Sequence, residues 1–173
     1  MCSFKIIAVT NRALCGANFL EQVRKIAQAG PNGIILREKD LTEAAYMETA
    51  GQVLDICGEY GVPCILHSHV HAAKALGCPR IHMPLPLLET CRKEMDGFSE
   101  IGVSVHSLEE ARKARELKAT YLIAGHIFAT ECKPGIAPRG LEFLKAVCAA
   151  SELPVYAIGG INPQNAAQVA RYG

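Results

Sequence analysis

Seven short apolar runs alternate with longer stretches of helical spacing along nearly the whole chain. The β-type runs are Phe4–Thr10, Gly33–Lys39, Pro63–His69, Arg80–Pro84, Ile101–His106, Tyr121–Phe128 and Pro154–Gly159. Between them, Asn18–Ala29, Thr42–Tyr60, His71–Leu76, Leu108–Leu117 and Gly140–Ala150 repeat apolar residues at three- and four-residue spacing, the helical period. Asp40 or Thr42 can cap one helix, and Ser107-Leu-Glu-Glu110 forms a capping box before another. A strand buried on both faces reads as a continuous apolar run, so strict alternation implies a parallel sheet covered by helices. No G-x-G-x-x-G follows the first strand, which weakens an open nucleotide-binding sheet. The expectation is an α/β fold, a TIM-type (β/α)8 barrel, forming a single domain over residues 1–173. Only seven βα units are readable. No apolar run remains for an eighth strand before Arg171-Tyr-Gly173. An open barrel leaves unpaired edges, so the chain reads as truncated at its C-terminus.

Composition narrows the partners. A net charge of +1, 6% aromatics and no Trp argue against a nucleic-acid or membrane-surface partner. The apolar runs are too short to span a bilayer, and the N-terminus lacks a secretory layout, so a cytoplasmic location is expected. Cysteines fall at 2, 15, 57, 64, 78, 91, 132 and 148 with no C-x-x-C pair, the pattern of scattered reduced thiols. Cys132 lies in the loop after His126, but the sequence fixes no base beside it, so it is not taken as a nucleophile.

Chemistry concentrates at strand ends, where parallel α/β proteins bind ligands. Tyr121-Leu-Ile-Ala-Gly-His126 puts an imidazole at the carboxyl end of a strand, and Thr130 and Lys133 follow in the next loop. Histidine can take and give a proton near neutral pH, and the loop offers phosphate-type donors. An acid–base enzyme acting on a small phosphorylated molecule is expected, with His126 as its catalytic group. In Ala157-Ile-Gly-Gly-Ile-Asn-Pro-Gln-Asn165, Gly159 and Gly160 let backbone approach a phosphate, Asn162 can cap a helix and Pro163 can open it. Arg37 and Lys39 share strand parity in Leu36-Arg-Glu-Lys-Asp40 and suit a phosphate or a carboxylate, with Glu38 turned to the helices unless the strand bends. Ser104 and His106 can bind a ligand or cap the following helix. His67, His69 and His71, with His82 on the fourth strand, are read as polar rim groups; no carboxylate joins them as a metal site, and no metal is expected.

Together Leu36-Arg-Glu-Lys-Asp40, Ile101-Gly-Val-Ser-Val-His-Ser107, Gly125-His-Ile-Phe-Ala-Thr-Glu-Cys-Lys133, Gly140-Leu-Glu142 and Ala157-Ile-Gly-Gly-Ile161 resemble the superfamily of thiamine-phosphate synthase and the TenI-type thiazole tautomerases. The likeness covers essentially the whole chain. Synthases carry Gly-Pro where this chain has Gly125-His126, Gln where it has Ile35, and Asn-Asp-Arg where it has His67, Ser68 and His69. The Asp of that triplet serves Mg²⁺, and a second metal carboxylate corresponds to Leu87. Mg²⁺ takes oxygen ligands, so their loss disfavours the synthase. The resemblance therefore implies an isomerase of thiamin biosynthesis, a thiazole tautomerase aromatising a 2-carboxy-4-methylthiazole ethyl phosphate tautomer by a proton shift through His126. It implies no metal and no cofactor. Thr130, Lys133, Gly159 and Gly160 would hold the phosphate, with Ser104 beside the substrate and Arg37 and Lys39 on its carboxylate or phosphate. The alternatives are a non-catalytic TenI-like homologue binding a thiazole or pyrimidine phosphate and, ranked last, thiamine-phosphate synthase. Homo-oligomerisation stays open.

Overall fold

The computed structural model describes residues 5–172. Phe4, the start of the first expected strand, lies outside the described residues, as do Cys2 and Gly173. The described chain is α/β, of the TIM type, with seven parallel strands in chain order and helices in the connections. It falls into two compact units. The first runs to His82 and takes in Asp96–Ser99; the second comprises Met83–Met95 and the chain from Glu100.

In the first unit β1 (Ile7–Val9) pairs with β2 (Gly33–Leu36), and β2 with β3 (Cys64–His67). β4 (Arg80–Pro84) begins here, with Leu66 opposite Ile81 and His67 opposite His82. Every residue of β2 and β3 is buried, which is why these runs show no polar alternation. Helix α1 (Phe19–Gln28) buries Phe19, Val23 and Ala27 at four-residue spacing. Helix α2 (Glu43–Glu59) buries Tyr46, Ala50, Val53, Ile56 and Cys57. Thr42 caps α2 by accepting from the Ala45 N–H, as its sequence suggests. Helix α3 (Val70–Ala75) includes His71.

In the second unit β5 (Glu100–Val105), β6 (Tyr121–Gly125) and β7 (Val155–Ile158) pair in order. Helix α5 (Leu108–Glu116) is capped by Ser107, whose hydroxyl accepts from Glu110 N at 3.0 Å. Glu110 reaches back to the His106 N–H, one residue before the position a reciprocal box uses. Helix α6 spans Gly140–Ala150, as the sequence predicts. Helix α4 (Leu85–Thr90) has no counterpart among the sequence expectations, because six residues are too few to show a period. Asn162 does accept from Gln164 N and Asn165 N, but it caps a turn. Helix α7 (Ala166–Val169) starts later, so Pro163 does not open it, and it has only four residues.

The observed strands stop short of the expected ones. β2 ends at Leu36 and β6 at Gly125, and the residues beyond them make specific loop contacts. Among the described residues, Cys15, Cys57, Cys64, Cys78, Cys91, Cys132 and Cys148 are free thiols, and no helix is long and apolar enough to cross a membrane.

Candidate functional site

Each unit gathers chemistry-bearing side chains at the carboxyl ends of its strands. In the first unit Tyr46 of α2 ties two strand ends together. Its hydroxyl donates to the Leu36 carbonyl (2.8 Å) and accepts from the His67 N–H (2.9 Å). Burial pushes its pKa well up, so the phenol keeps the proton that it donates. Beyond Leu36 the chain bends. The Arg37 N–H donates to Thr10 Oγ1, and the Thr10 hydroxyl donates to Glu38 Oε1 at 2.5 Å. The other Glu38 oxygen accepts from Arg12 N at 2.9 Å, so this buried carboxylate faces the segment after β1 and not the helices. Arg12 also pairs with Asp40 at 2.5 Å. Sequence reasoning passed over Arg12 and Tyr46 because their partners lie far away in the chain.

His67 and His82 are buried, with ring centroids 5.7 Å apart. Burial, then Arg37 and Lys39, pull the His67 pKa down to about 4. Burial, then His67 and Arg37, pull His82 down to about 3. Both imidazoles are therefore neutral at pH 7, and the two cations lie within electrostatic reach of His67. His67 Nδ1 bonds the Ser68 hydroxyl at 2.8 Å, and Ser68 adopts φ 66°, which breaks the strand's alternation. His69 consequently stacks on Tyr46 with centroids 3.8 Å apart, while exposed His71 turns to Glu43 at 3.4 Å. The three histidines do not share one face. Among the described residues no group of three His, Cys, Asp or Glu side chains is arranged to hold a metal ion.

In the second unit His126 directly follows β6, 4% exposed, across a cis Gly125–His126 peptide. Its Nε2 lies 3.3 Å from the Ile136 carbonyl, which can only accept, so Nε2 carries the proton. Nδ1 is buried with no partner among the described residues. The loop returns to the strand end through Arg139 N to the His126 carbonyl and Gly140 N to the Ile127 carbonyl. Opposite, Ile127 N donates to the Ile158 carbonyl and Phe128 N to that of Gly159. Both glycines have positive φ, 99° at Gly159 and 65° at Gly160. A Cβ on Gly159 would overlap His126, and one on Gly160 would come within 2.8 Å of Phe128 Cβ. Their first duty is close packing against the segment after β6.

Lys133 Nζ donates to His106 Nε2 at 3.3 Å, and His106 Nδ1 lies 3.4 Å from Glu110. Burial, with Lys133 next, lowers the His106 pKa, so a neutral ring accepts from the ammonium. Thr130 Oγ1 accepts from Cys132 N, and its carbonyl from Lys133 N, which shapes the turn that presents Lys133. Ser104 is half-buried on β5, opposite Ile123.

A family model described as thiamine monophosphate synthase matches residues 6–173. The chain belongs to this family. Curated relatives include the thiamine-phosphate synthase of Caldanaerobacter subterraneus subsp. tengcongensis, 33% identical over 170 residues, covering 96% of this chain and 79% of the relative. Another is that of Desulfitobacterium hafniense strain Y51, 35% identical, covering 98% and 84%. Among solved structures, thiamine phosphate pyrophosphorylase from Pyrococcus furiosus superposes with a TM-score of 0.85 at 31% identity, over 98% of this chain and 81% of that one.

These relatives overturn the tautomerase expectation. At about a third identity over nearly the full chain they are named for thiamine-phosphate synthase, a transferase rather than an isomerase. The ranking that put the synthase last rested on few positions: His126, Ile35, the His67–His69 triplet and Leu87.

The Mg²⁺ that the family's synthases use does not fit the residues of the first unit. A hard cation takes oxygen ligands. Neutral His67 and the Tyr46-stacked His69 flank Ser68. Glu38 is held by Thr10 and Arg12, Asp40 by Arg12, and Glu43 by His69 and His71.

Proposed function

We propose that this protein is a transferase of the thiamine-phosphate synthase class, joining a thiazole phosphate to a pyrimidine carried on pyrophosphate. The observation that carries this reading is its similarity, near one third identity over almost the whole chain, to curated relatives of that name. In such a transfer the thiazole nitrogen's lone pair forms a bond to the pyrimidine's methylene carbon. The carbon–oxygen bond to pyrophosphate breaks, and its electron pair leaves with the pyrophosphate. No proton has to move for the new bond to form.

That balance changes the role of His126. It is a positioning residue here: Nε2–H holds the loop that carries Thr130 and Lys133 at Ile136. Lys133, steadied by His106, and Thr130 are assigned to the thiazole phosphate. Gly159 and Gly160 line that pocket, with Ser104 beside the substrate. Arg37 and Lys39 are assigned to the pyrophosphate-bearing substrate.

Growth without thiamine tests this. A bacterium lacking its own thiamine-phosphate synthase, supplied with this gene, is expected to grow on medium free of thiamine. Failure of the soluble, expressed protein to support growth would contradict the assignment.

A further inference from the structure

We infer that the cluster at the carboxyl ends of β2 and β3 takes a pyrophosphate-type anion directly on Arg37 and Lys39, with no divalent cation between them. This rests on the reading above that the cluster receives the anionic end of a substrate, and it says how.

The carboxylates of the first unit near this cluster already have partners. A metal-bridged pyrophosphate needs carboxylate oxygens on the protein side. Glu38 is buried with both oxygens committed, Oε1 to the Thr10 hydroxyl and Oε2 to Arg12 N. Asp40 holds the Arg12 guanidinium, and Glu43 sits between His69 and His71. Glu38 cannot turn toward a cation beside His67 without giving up both partners, and Asp40 and Glu43 are drawn to Arg12 and to His69 and His71. The strand-end position a metal carboxylate would need is Ser68, whose hydroxyl is bonded to His67 Nδ1 at 2.8 Å.

What the cluster offers is positive charge and neutral donors. The fields of Arg37 and Lys39 both reach His67, and that of Arg37 also reaches His82. A dication placed here would be repelled by both cations, whereas an anion would be held by both. His67 Nδ1 and the Ser68 hydroxyl share a 2.8 Å hydrogen bond, so the pair adds neutral polar groups and no charge. A guanidinium forks onto phosphate oxygens, and an ammonium adds a point charge.

The test is calorimetric titration with inorganic pyrophosphate, once in EDTA and once in excess Mg²⁺, on the full chain and on Arg37→Gln, Lys39→Gln and Ser68→Asp. Direct binding predicts affinities in EDTA at least as tight as those in Mg²⁺, because Mg²⁺ complexes the free anion in solution and is itself repelled by Arg37 and Lys39. Each cation variant should weaken them roughly tenfold. Ser68→Asp fits the positive φ at that position, because Asp tolerates it. It should weaken binding in EDTA and regain it in Mg²⁺, showing what a metal-bridged site looks like in this same scaffold. Binding by the unaltered chain that requires Mg²⁺, no binding in either buffer, or binding indifferent to Arg37 and Lys39 would each overturn the inference. Thiamine phosphate formation is read separately. Product made only with Mg²⁺ refutes direct binding and leaves the transferase intact. Metal-free pyrophosphate binding without product does the reverse.

Discussion

Gly159 and His126 occupy one another's side-chain space. Gly159 holds φ 99°, and a Cβ there would lie within 2.8 Å of the His126 Cα as well as overlapping its Cβ. The end of β7 is thus moulded on the residue that follows β6, and the imidazole's place depends on a missing side chain. Gly159→Ala should cost about 1–3 kcal/mol from overpacking, with further cost from the left-handed backbone. Urea denaturation reads this as a lower midpoint at unchanged slope. An unshifted midpoint would show that the segment yields freely.

Tyr46 is the corresponding device in the first unit. Tyr46→Phe keeps the ring but strands the Leu36 carbonyl and the His67 N–H, each buried. Unmade bonds of this kind cost about 1–3 kcal/mol each. The expected outcome is a clear loss of stability, together with faster amide exchange at His67. Exchange at His67 no faster than in the parent would mean that the hydroxyl does not hold the strand ends.

Acid should destabilise the fold through two imidazoles. His67 and His82 titrate near 4 and 3 in the folded protein, below the ordinary value of 6.5. Above about pH 6.5 neither state binds these protons, and stability is full. As the pH falls below that, the unfolded chain takes up protons that the folded one refuses, so stability drops toward pH 4 and then pH 3. At pH 5 the loss is about 2 kcal/mol for each residue. Denaturation free energies at pH 7 and pH 5 should converge in the His67→Asn, His82→Asn double variant. An equal fall in the double variant would place the acid sensitivity elsewhere.

His106 steadies Lys133, so His106→Phe should act on substrate capture. The KM for the thiazole phosphate is expected to rise about tenfold with little change in kcat, since the charge-bearing group is displaced but not removed. His106→Gln retains an acceptor and should recover most of the loss. A fall confined to kcat would contradict a binding role for the pair.

The fold was legible because burial on both faces leaves its mark residue by residue. Gly33–Leu36 and Cys64–His67 are apolar or buried throughout, and α2 and α6 carry the helical period plainly. Strand ends were not legible, since contacts with distant residues set them. Glu38 leaves the β2 line because Thr10 and Arg12 claim both of its oxygens. His67 and His69 were read as polar rim groups, but the left-handed Ser68 sends His69 onto Tyr46 and leaves His67 buried beside His82. Gly159 and Gly160 read as phosphate-type glycines, yet His126 and Phe128 alone already exclude a side chain there. Among the positions that pointed to an isomerase, His126 misled most, because a histidine at a strand end signals proton transfer by itself. Its Nε2 is engaged by a loop carbonyl, a contact ten residues away that spacing cannot reveal.

The most direct measurement is a single-turnover quench with both substrates, counting thiamine phosphate formed and pyrophosphate released in the same samples. The transferase account predicts that they appear together, one for one, and that both slow in Arg37→Gln and Lys133→Gln. Pyrophosphate without thiamine phosphate, or neither product from the folded protein, would contradict it.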